Sequence, residues 1–241
     1  MTTAEATSTA WLENPLLGFD TETTGTDVAH DRIVTVALVL SFGPGRDNET
    51  VATWLIDPEM EIPEGAQRVH GISTEHARVH GMKADDALEE VAAMLAESLG
   101  RDIPLVAFNG GFDLQILENE LARLGRPGLA ERIGHDIAPV LDPLVIDRGA
   151  DRFRKGKRTL TDLIAHYGVE QDGRLHTADV DVSATLDVLR AQAAKFPAVA
   201  QSSLADLHRQ QVTWHREWAE NFNEFLRKKG RTPDVSPAWP M

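Results

Sequence analysis

The sequence predicts a mixed-sheet α/β domain of five strands flanked by helices, closing on a long C-terminal helix. Three observations point there. Apolar strand-like segments joined by short turns open the chain, helix and strand then alternate, and helices alone fill the rest. The first strand is LLGFD (16–20), followed by a Thr/Gly/Asp turn. Residues 32–42, rich in Val, Ile and Leu, read as a long buried strand ended by the Gly-Pro-Gly turn at 43–45. Residues 49–57 alternate and give a third strand, so the start is antiparallel. A loop-rich stretch with HGISTEHARVHG has room only for short helical turns. Residues 84–100 form an amphipathic helix with Leu88, Val91, Leu95 and Leu99 on one face. PLVAFN (104–109) is a brief central strand, and the next helix carries Leu114, Leu117, Leu121 and Leu124 and stops at Gly125. VLDPLVID (140–147) reads as a strand broken by Pro143. Helices follow over 159–168 and 178–196, and the last runs from about 198 to 229 with Leu207, Trp214, Trp218, Phe222 and Phe225 as its buried face. Residues 11–230 are expected to form one domain, between a loose polar tail (1–10) and a Pro-rich tail (231–241) in which Trp239 could serve as a docking peptide.

Composition excludes several classes of function. At 241 residues, with 42% hydrophobic and 26% charged residues, the chain can bury a core. No apolar run reaches the roughly 18 residues of a membrane span, and the first ten residues lack the features of a signal peptide, so the expected location is cytoplasmic. With no cysteine, disulfides, thiolate zinc sites and cysteine nucleophiles are excluded. A net charge of −14 speaks against a broad nucleic-acid-binding face but not against carboxylates gathered around metal ions. Neither a phosphate-binding loop nor a serine-hydrolase elbow occurs, and His70, His76 and His80 lack the partners for a structural zinc.

Three short segments carry the chemistry. In Phe19-Asp20-Thr21-Glu22-Thr23-Thr24-Gly25, the strand's period of two puts Asp20 and Glu22 on one face and Thr21 on the other. Paired carboxylates of this kind suit a hard divalent cation. In Ala107-Phe108-Asn109-Gly110-Gly111-Phe112-Asp113, a buried strand runs into two glycines that allow close approach of a ligand, and Asp113 enters a helix. In His176-Thr177-Ala178-Asp179-Val180-Asp181, a histidine precedes a helix whose first turns hold Asp181 beside the buried positions Val182 and Leu186.

Taken in this order, Asp20, Glu22, Asp113, His176 and Asp181 resemble the three motifs of the DEDD exonuclease superfamily in its histidine-containing, DnaQ-like branch. That branch includes the exonuclease domain of the DNA polymerase III epsilon subunit. FDTETTG resembles the first motif, NGGFD the second and HTADVD the third, and the likeness spans about residues 16 to 190. The one visible departure is Phe108 where the family often has histidine. The resemblance implies a ribonuclease H-like fold and 3′→5′ removal of nucleoside monophosphates from single-stranded nucleic acid, DNA ahead of RNA. It also implies two divalent cations, Mg²⁺ or Mn²⁺, held by Asp20, Glu22, Asp113 and Asp181, with Asp20 between them and His176 as general base. Thr21, Thr23, Thr24, Asn109 and Phe112 flank these acids as candidates to grip the terminal nucleotide.

Residues 147–158, DRGADRFRKGKR, form the main basic cluster in an acidic chain. Arg154 and Lys157 in it are the candidate phosphate contacts to a single strand. Expected partners are 3′ ends of single-stranded DNA or RNA, with a DNA polymerase or repair proteins beyond them and no membrane. The competing reading is a non-catalytic module of the same fold that binds nucleic acid or a polymerase, against which stands the presence of all five site residues.

Overall fold

The computed structural model describes residues 10–170 and 177–241. A short 3-10 turn (Ala10–Leu12) leads into β1 (Leu16–Thr23), β2 (Ile33–Ser41) and β3 (Glu49–Asp57). Helices α1 (Glu64–His70) and α2 (Thr74–His80) follow, then β4 (Met82–Lys83) and α3 (Ala84–Leu99). The middle of the chain is β5 (Leu105–Val106), α4 (Gly110–Arg123), α5 (Leu129–Ile133), β6 (Val140–Leu141) and α6 (Pro143–Ala150). It ends with α7 (Leu160–Tyr167), α8 (Ala178–Lys195), α9 (Pro197–Gln201) and α10 (Leu204–Lys228). No helix among the described residues is long and apolar enough to cross a membrane.

The strands form one mixed sheet in the order β4-β3-β2-β1-β5-β6. The expected mixed α/β layering is present, and the sheet gains a sixth strand, two-residue β4, at its edge. β1 runs antiparallel to β2 and parallel to β5, and β5 runs parallel to β6. The core lies on both faces of the sheet. Leu17 and Phe19 face the layer that holds Leu88, Leu95, Leu114 and Leu117, while Leu16 faces Val182, Leu186 and Leu189 of α8.

Local chemistry corrects three boundaries. VLDPLVID is strand only at Val140–Leu141. Asp142 caps the next helix, its carboxylate accepting from the Leu144 N–H at 2.9 Å, and Pro143 takes the first helical position, so the segment continues as α6. The expected last helix is two, because Ser203 caps α10 by accepting from the Asp206 N–H. The face that α10 buries is Leu207, Gln211, Ala219 and Leu226; Phe225 is exposed, and Trp214, Trp218 and Phe222 are half-buried. PLVAFN is strand only at Leu105–Val106, because the chain turns left-handed at Asn109 into α4; the stretch before α3 holds the short helical turns expected of it, as α1 and α2.

The C-terminal segment is docked rather than free. Val235 and Asn223 exchange two hydrogen bonds, and the Trp239 side chain is buried in the core against His208, so it offers no docking peptide. The expected loose N-terminal tail falls, up to residue 9, outside the described residues.

One contact fixes how α8 lies on the sheet. A Cβ on Gly18 would stand 2.2 Å from Cγ1 of Val182, so β1 passes α8 where only glycine fits. Gly18→Ala is expected to destabilise the protein by ~1–3 kcal/mol through overpacking, read as a lower urea midpoint. An unchanged midpoint would mean that α8 does not rest on β1 at this place.

Candidate active site

The site forms where β1 outlasts its parallel neighbour. β5 pairs with β1 only at Leu17 and Gly18, so the strand's last residues run past the end of β5 into an open crevice. Such crevices at the carboxyl ends of strands are where α/β sheets bind ligands. Asp20 and Glu22 share Gly18's face and point toward α8; Thr21 takes the other face. A register shift between Glu22 and Thr23 ends the regular pairing. Beyond it the turn is pinned by its own side chains. Thr23 Oγ1 donates to the Gly25 carbonyl at 2.6 Å, and Thr24 Oγ1 donates to Asp31 at 2.8 Å. A side chain at Gly25 would collide with the Asp31 carboxylate.

Asp113 arrives from the other side. β5 turns into α4 through Asn109, a left-handed residue at φ 60°. That turn is clamped by the buried Asp142 carboxylate, which accepts from the backbone N–H groups of Asn109, Gly110 and Leu144 at 3.1, 3.1 and 2.9 Å. The clamp sets the first turn of α4 so that Asp113 meets β1. Asp113 Oδ1 accepts from the Thr21 N–H at 3.1 Å and from Thr21 Oγ1 at 2.7 Å. Asp181 comes with the first turn of α8, its N–H bonded to the Thr177 carbonyl, where a helix N-terminus favours a carboxylate.

The electrostatics report the convergence. Burial pushes the Asp20 carboxyl well above the ordinary carboxylate range, and the charges of Asp113, Glu22 and Asp181 add to it. Burial, then Asp181 and Asp113, pushes Glu22 up to about 7. Asp113 is also pushed up to about 7 by burial, against the pull of the two Thr21 hydrogen bonds. Four acids distant in sequence therefore feel one another at one place. His176 lies outside the described residues.

The flanking candidates divide. Thr21 is buried and its hydroxyl is spent on Asp113, so it positions an acid rather than gripping a nucleotide. Thr24 is likewise turned inward, bonded to Asp31 and accepting from the Arg32 N–H. Arg154 is committed to the buried Asp147 carboxylate at 3.0 Å, which removes it as a free phosphate contact. Asn109 and Lys157 are exposed, and Thr23 and Phe112 half-buried. The Gly110-Gly111 pair serves the protein's own packing instead of a ligand: a Cβ at Gly110 would meet Ala107, and one at Gly111 the Pro240 carbonyl at 3.1 Å.

One residue beside the site went unassigned in the sequence. A cleft of about 320 Å³ opens against Glu22, lined also by His70, His76, Thr177 and Asp179. His70 Nδ1 accepts from the Ile72 N–H at 3.1 Å, so Nε2 carries the ring's proton in the neutral state, on the side of the Thr23 backbone. Burial holds the ring's pKa down, keeping it neutral. The signal lay in the HGIS segment, where a histidine stands directly before the glycine that stops α1.

The donor set fits hard divalent cations: all four acids offer carboxylate oxygen, and each of the three described above is raised by burial and like charge in a way that cations would relieve. Among the described residues, no three His, Asp or Glu side chains already close into a cage around one ion.

The sequence pattern of the RNase T exonuclease family matches residues 17–189. The chain belongs to that exonuclease family. It is 32% identical over 177 residues to the DNA polymerase III epsilon subunit of Rickettsia felis, covering 70% of this chain and 69% of that one. It is 28% identical over 188 residues to an uncharacterized exonuclease of Escherichia phage 186, covering 76% of this chain and 90% of the relative. In fold it resembles E. coli exonuclease I in complex with a dA16 oligonucleotide, with a TM-score of 0.67, 20% identity, and 84% of this chain against 44% of that one. Exonuclease I of Methylocaldum szegediense aligns with a TM-score of 0.62, 19% identity, and 88% of this chain against 46%. The chain thus spans less than half the length of these exonuclease I structures.

The raised carboxylates set a pH dependence. A carboxyl whose folded pKa exceeds its unfolded value stabilises the fold fully below the unfolded value, and this contribution is lost as pH rises through the folded value. Glu22 and Asp113, raised from 4.5 and 3.8 to about 7, place that window between about pH 4 and 7. In EDTA, the melting temperature of the parent chain relative to Glu22→Gln should fall across this window. Added Mn²⁺ should raise the parent more at pH 8 than at pH 5. A difference between the two proteins that stays flat with pH would rule out the mutual repulsion.

Proposed function

We propose that the chain is a 3′→5′ exonuclease that releases nucleoside monophosphates from single-stranded nucleic acid, DNA before RNA, using two divalent cations. The observation that carries this is the convergence of Asp20, Glu22, Asp113 and Asp181, from three separate elements, at the open end of β1. The family supports the exonuclease class. The likeness to a polymerase III epsilon subunit and to exonuclease I solved with single-stranded oligonucleotides supports the polarity and the substrate.

Asp20, Glu22, Asp113 and Asp181 would hold Mg²⁺ or Mn²⁺, which supply charge neutralisation at the phosphate and a lowered pKa for the attacking water. The remaining work falls to the chain. His176, one residue before the start of the described α8 segment, accepts the water's proton near neutral pH. Thr21 holds one oxygen of Asp113 and leaves the other for the site. Asn109 and Phe112, which line a cleft at the first turn of α4, and Thr23, next to Glu22 in sequence, are the candidates to hold the terminal nucleotide, and His70 forms part of the wall of the cleft beside Glu22. Residues 11–230 form the exonuclease unit, and a cytoplasmic role beside a polymerase or in DNA repair follows from this reading.

The test uses 3′- and 5′-labelled single-stranded DNA and RNA with Mg²⁺, Mn²⁺ or EDTA. Mononucleotides should be released from the 3′ end with either metal and not in EDTA. Asp20→Ala should abolish release, and His176→Ala should lower kcat by about 10²–10⁴ with little change in KM. Full activity of Asp20→Ala, or of the parent in EDTA, would falsify the mechanism. Binding without cleavage in any metal would instead favour a nucleic-acid-binding module on this fold.

A further inference from the structure

The fold pairs three of the six basic side chains in 147–158. Arg154 and Arg158 both pair with the buried Asp147, and Arg152 reaches Glu217 at 3.4 Å. Among the described residues Lys155, Lys157 and Arg148 have no hydrogen bond and no ion pair; both lysines are exposed, and the half-buried one of the three is Arg148. It lies flat on Trp218 of α10, 3.4 Å from the ring centroid, and Trp218 is stacked in turn on Phe222 at 5.5 Å and 13°. The aromatic stack fixes the plane of the fork before any ligand arrives.

The charge persists there. Burial lowers the Arg148 pKa only to about 10, so the group is cationic at neutral pH. The acids facing it are otherwise engaged: Asp142 attracts it but spends its oxygens on three backbone N–H groups, and Asp147 holds two other arginines. A half-buried cation without a contacting anion is costly, and a bound anion would offset that cost.

Its position gives the anion an identity. Arg148 stands between two clefts. One, of about 280 Å³, is lined by Asn109, Gly111, Phe112 and His215 and begins at the first turn of α4, where Phe112 directly precedes Asp113. The other, of about 390 Å³, continues past Arg152 and Arg158. The two clefts meet at Arg148 and Trp218, one opening beside the helix that carries Asp113 and the other leading on toward Arg152 and Arg158. We propose that Arg148, held flat by Trp218, binds the phosphodiester backbone of a single strand upstream of the nucleotide being released, so that the strand leaves the acids over Asn109 and Phe112 and crosses between α6 and α10.

The assignment rests on the nuclease reading for the direction of the strand. Its chemistry is that of single-strand grooves, which pair guanidinium forks on phosphates with aromatic faces nearby. Half of the platform is built by Trp218, which lies beyond the family's matched residues 17–189, so this contact belongs to the chain's own C-terminal addition.

The test separates binding along the strand from chemistry at the acids. Affinity for 5′-labelled single-stranded DNA and RNA 10-mers is measured by fluorescence anisotropy over a salt series, in EDTA and in Ca²⁺. Hydrolysis of the p-nitrophenyl ester of thymidine 5′-monophosphate, which fills only the acid site, is measured in Mn²⁺. Arg148→Gln should weaken oligomer binding about 5- to 50-fold and lower the slope of log affinity against log salt by ~0.7. It should raise KM for oligomers and leave ester hydrolysis unchanged. Unchanged oligomer binding, an unchanged salt slope, no oligomer binding by the parent chain, or a parallel loss of ester hydrolysis would each overturn the proposal. Should the Gln variant fail to fold by circular dichroism, Arg148→Lys decides: weaker oligomer binding with intact ester hydrolysis upholds the contact, and unchanged binding overturns it. A parent chain that binds through Arg148 but cleaves nothing in Mg²⁺ or Mn²⁺ would remove the nuclease reading and leave the contact standing.

Discussion

Packing holds four like charges where their own repulsion would part them. β1 carries two of the acids past the end of its neighbour, α8 is brought against that strand through the gap at Gly18, and the clamped turn at Asn109 delivers α4. Raising Asp113 from 3.8 to about 7 sets its ionised form on the order of 4 kcal/mol above the solvated case. That cost is met by apolar contacts remote from the site: Leu16 with Val182 and Leu186 on one face, Phe19 and Leu17 with Leu114 and Leu117 on the other. The sheet and its two cores are the device that keeps the acids together, and the acids are the strained part that a pair of cations would relax. The chain's net negative charge fits this arrangement, since the field that matters to a phosphate is the local one once cations are present.

How much of this was legible in the sequence depends on the range over which each feature is determined. The strand period of two put Asp20 and Glu22 on one face, and the amphipathic spacing fixed α3 and α4. The three acid-bearing segments could be read because their spacing matches a family pattern. The residues that hold the acids could not. Thr21 looked like a nucleotide contact because it flanks the acids, but its partner is 92 residues away. Gly110 and Gly111 looked like room for a ligand, while the chain that occupies that room is Ala107 on one side and Pro240 on the other. Arg154 could not be told from Arg148 by local charge; only the fold shows that Asp147 is buried between two of the arginines and out of contact with Arg148. Pro143 was read as breaking a strand when, after an aspartate, it starts a helix.

The helices beyond the family's matched region are tied into the site rather than appended to it. Gln211, buried on α10, accepts from the Asp142 N–H at 2.7 Å and donates to the Val140 carbonyl at 3.0 Å. Asp142 in turn grips the N–H groups of Asn109 and Gly110, and the turn they form sets Asp113, which Thr21 then holds. A chain of hydrogen bonds and one backbone turn thus links the C-terminal helix to Asp113 of the candidate site. Trp239 and Pro240 close the same region from outside, lying against Gly111 one turn from that acid. The links at Gln211, Gly110 and Thr21 are buried, where an unmade hydrogen bond is expensive, so a shift of α10 would be felt along the line. Because α10 also carries Trp218, the element that would hold an incoming strand through Arg148 is the same one that braces the turn beneath Asp113. Strand binding as proposed and acid placement would therefore share one support.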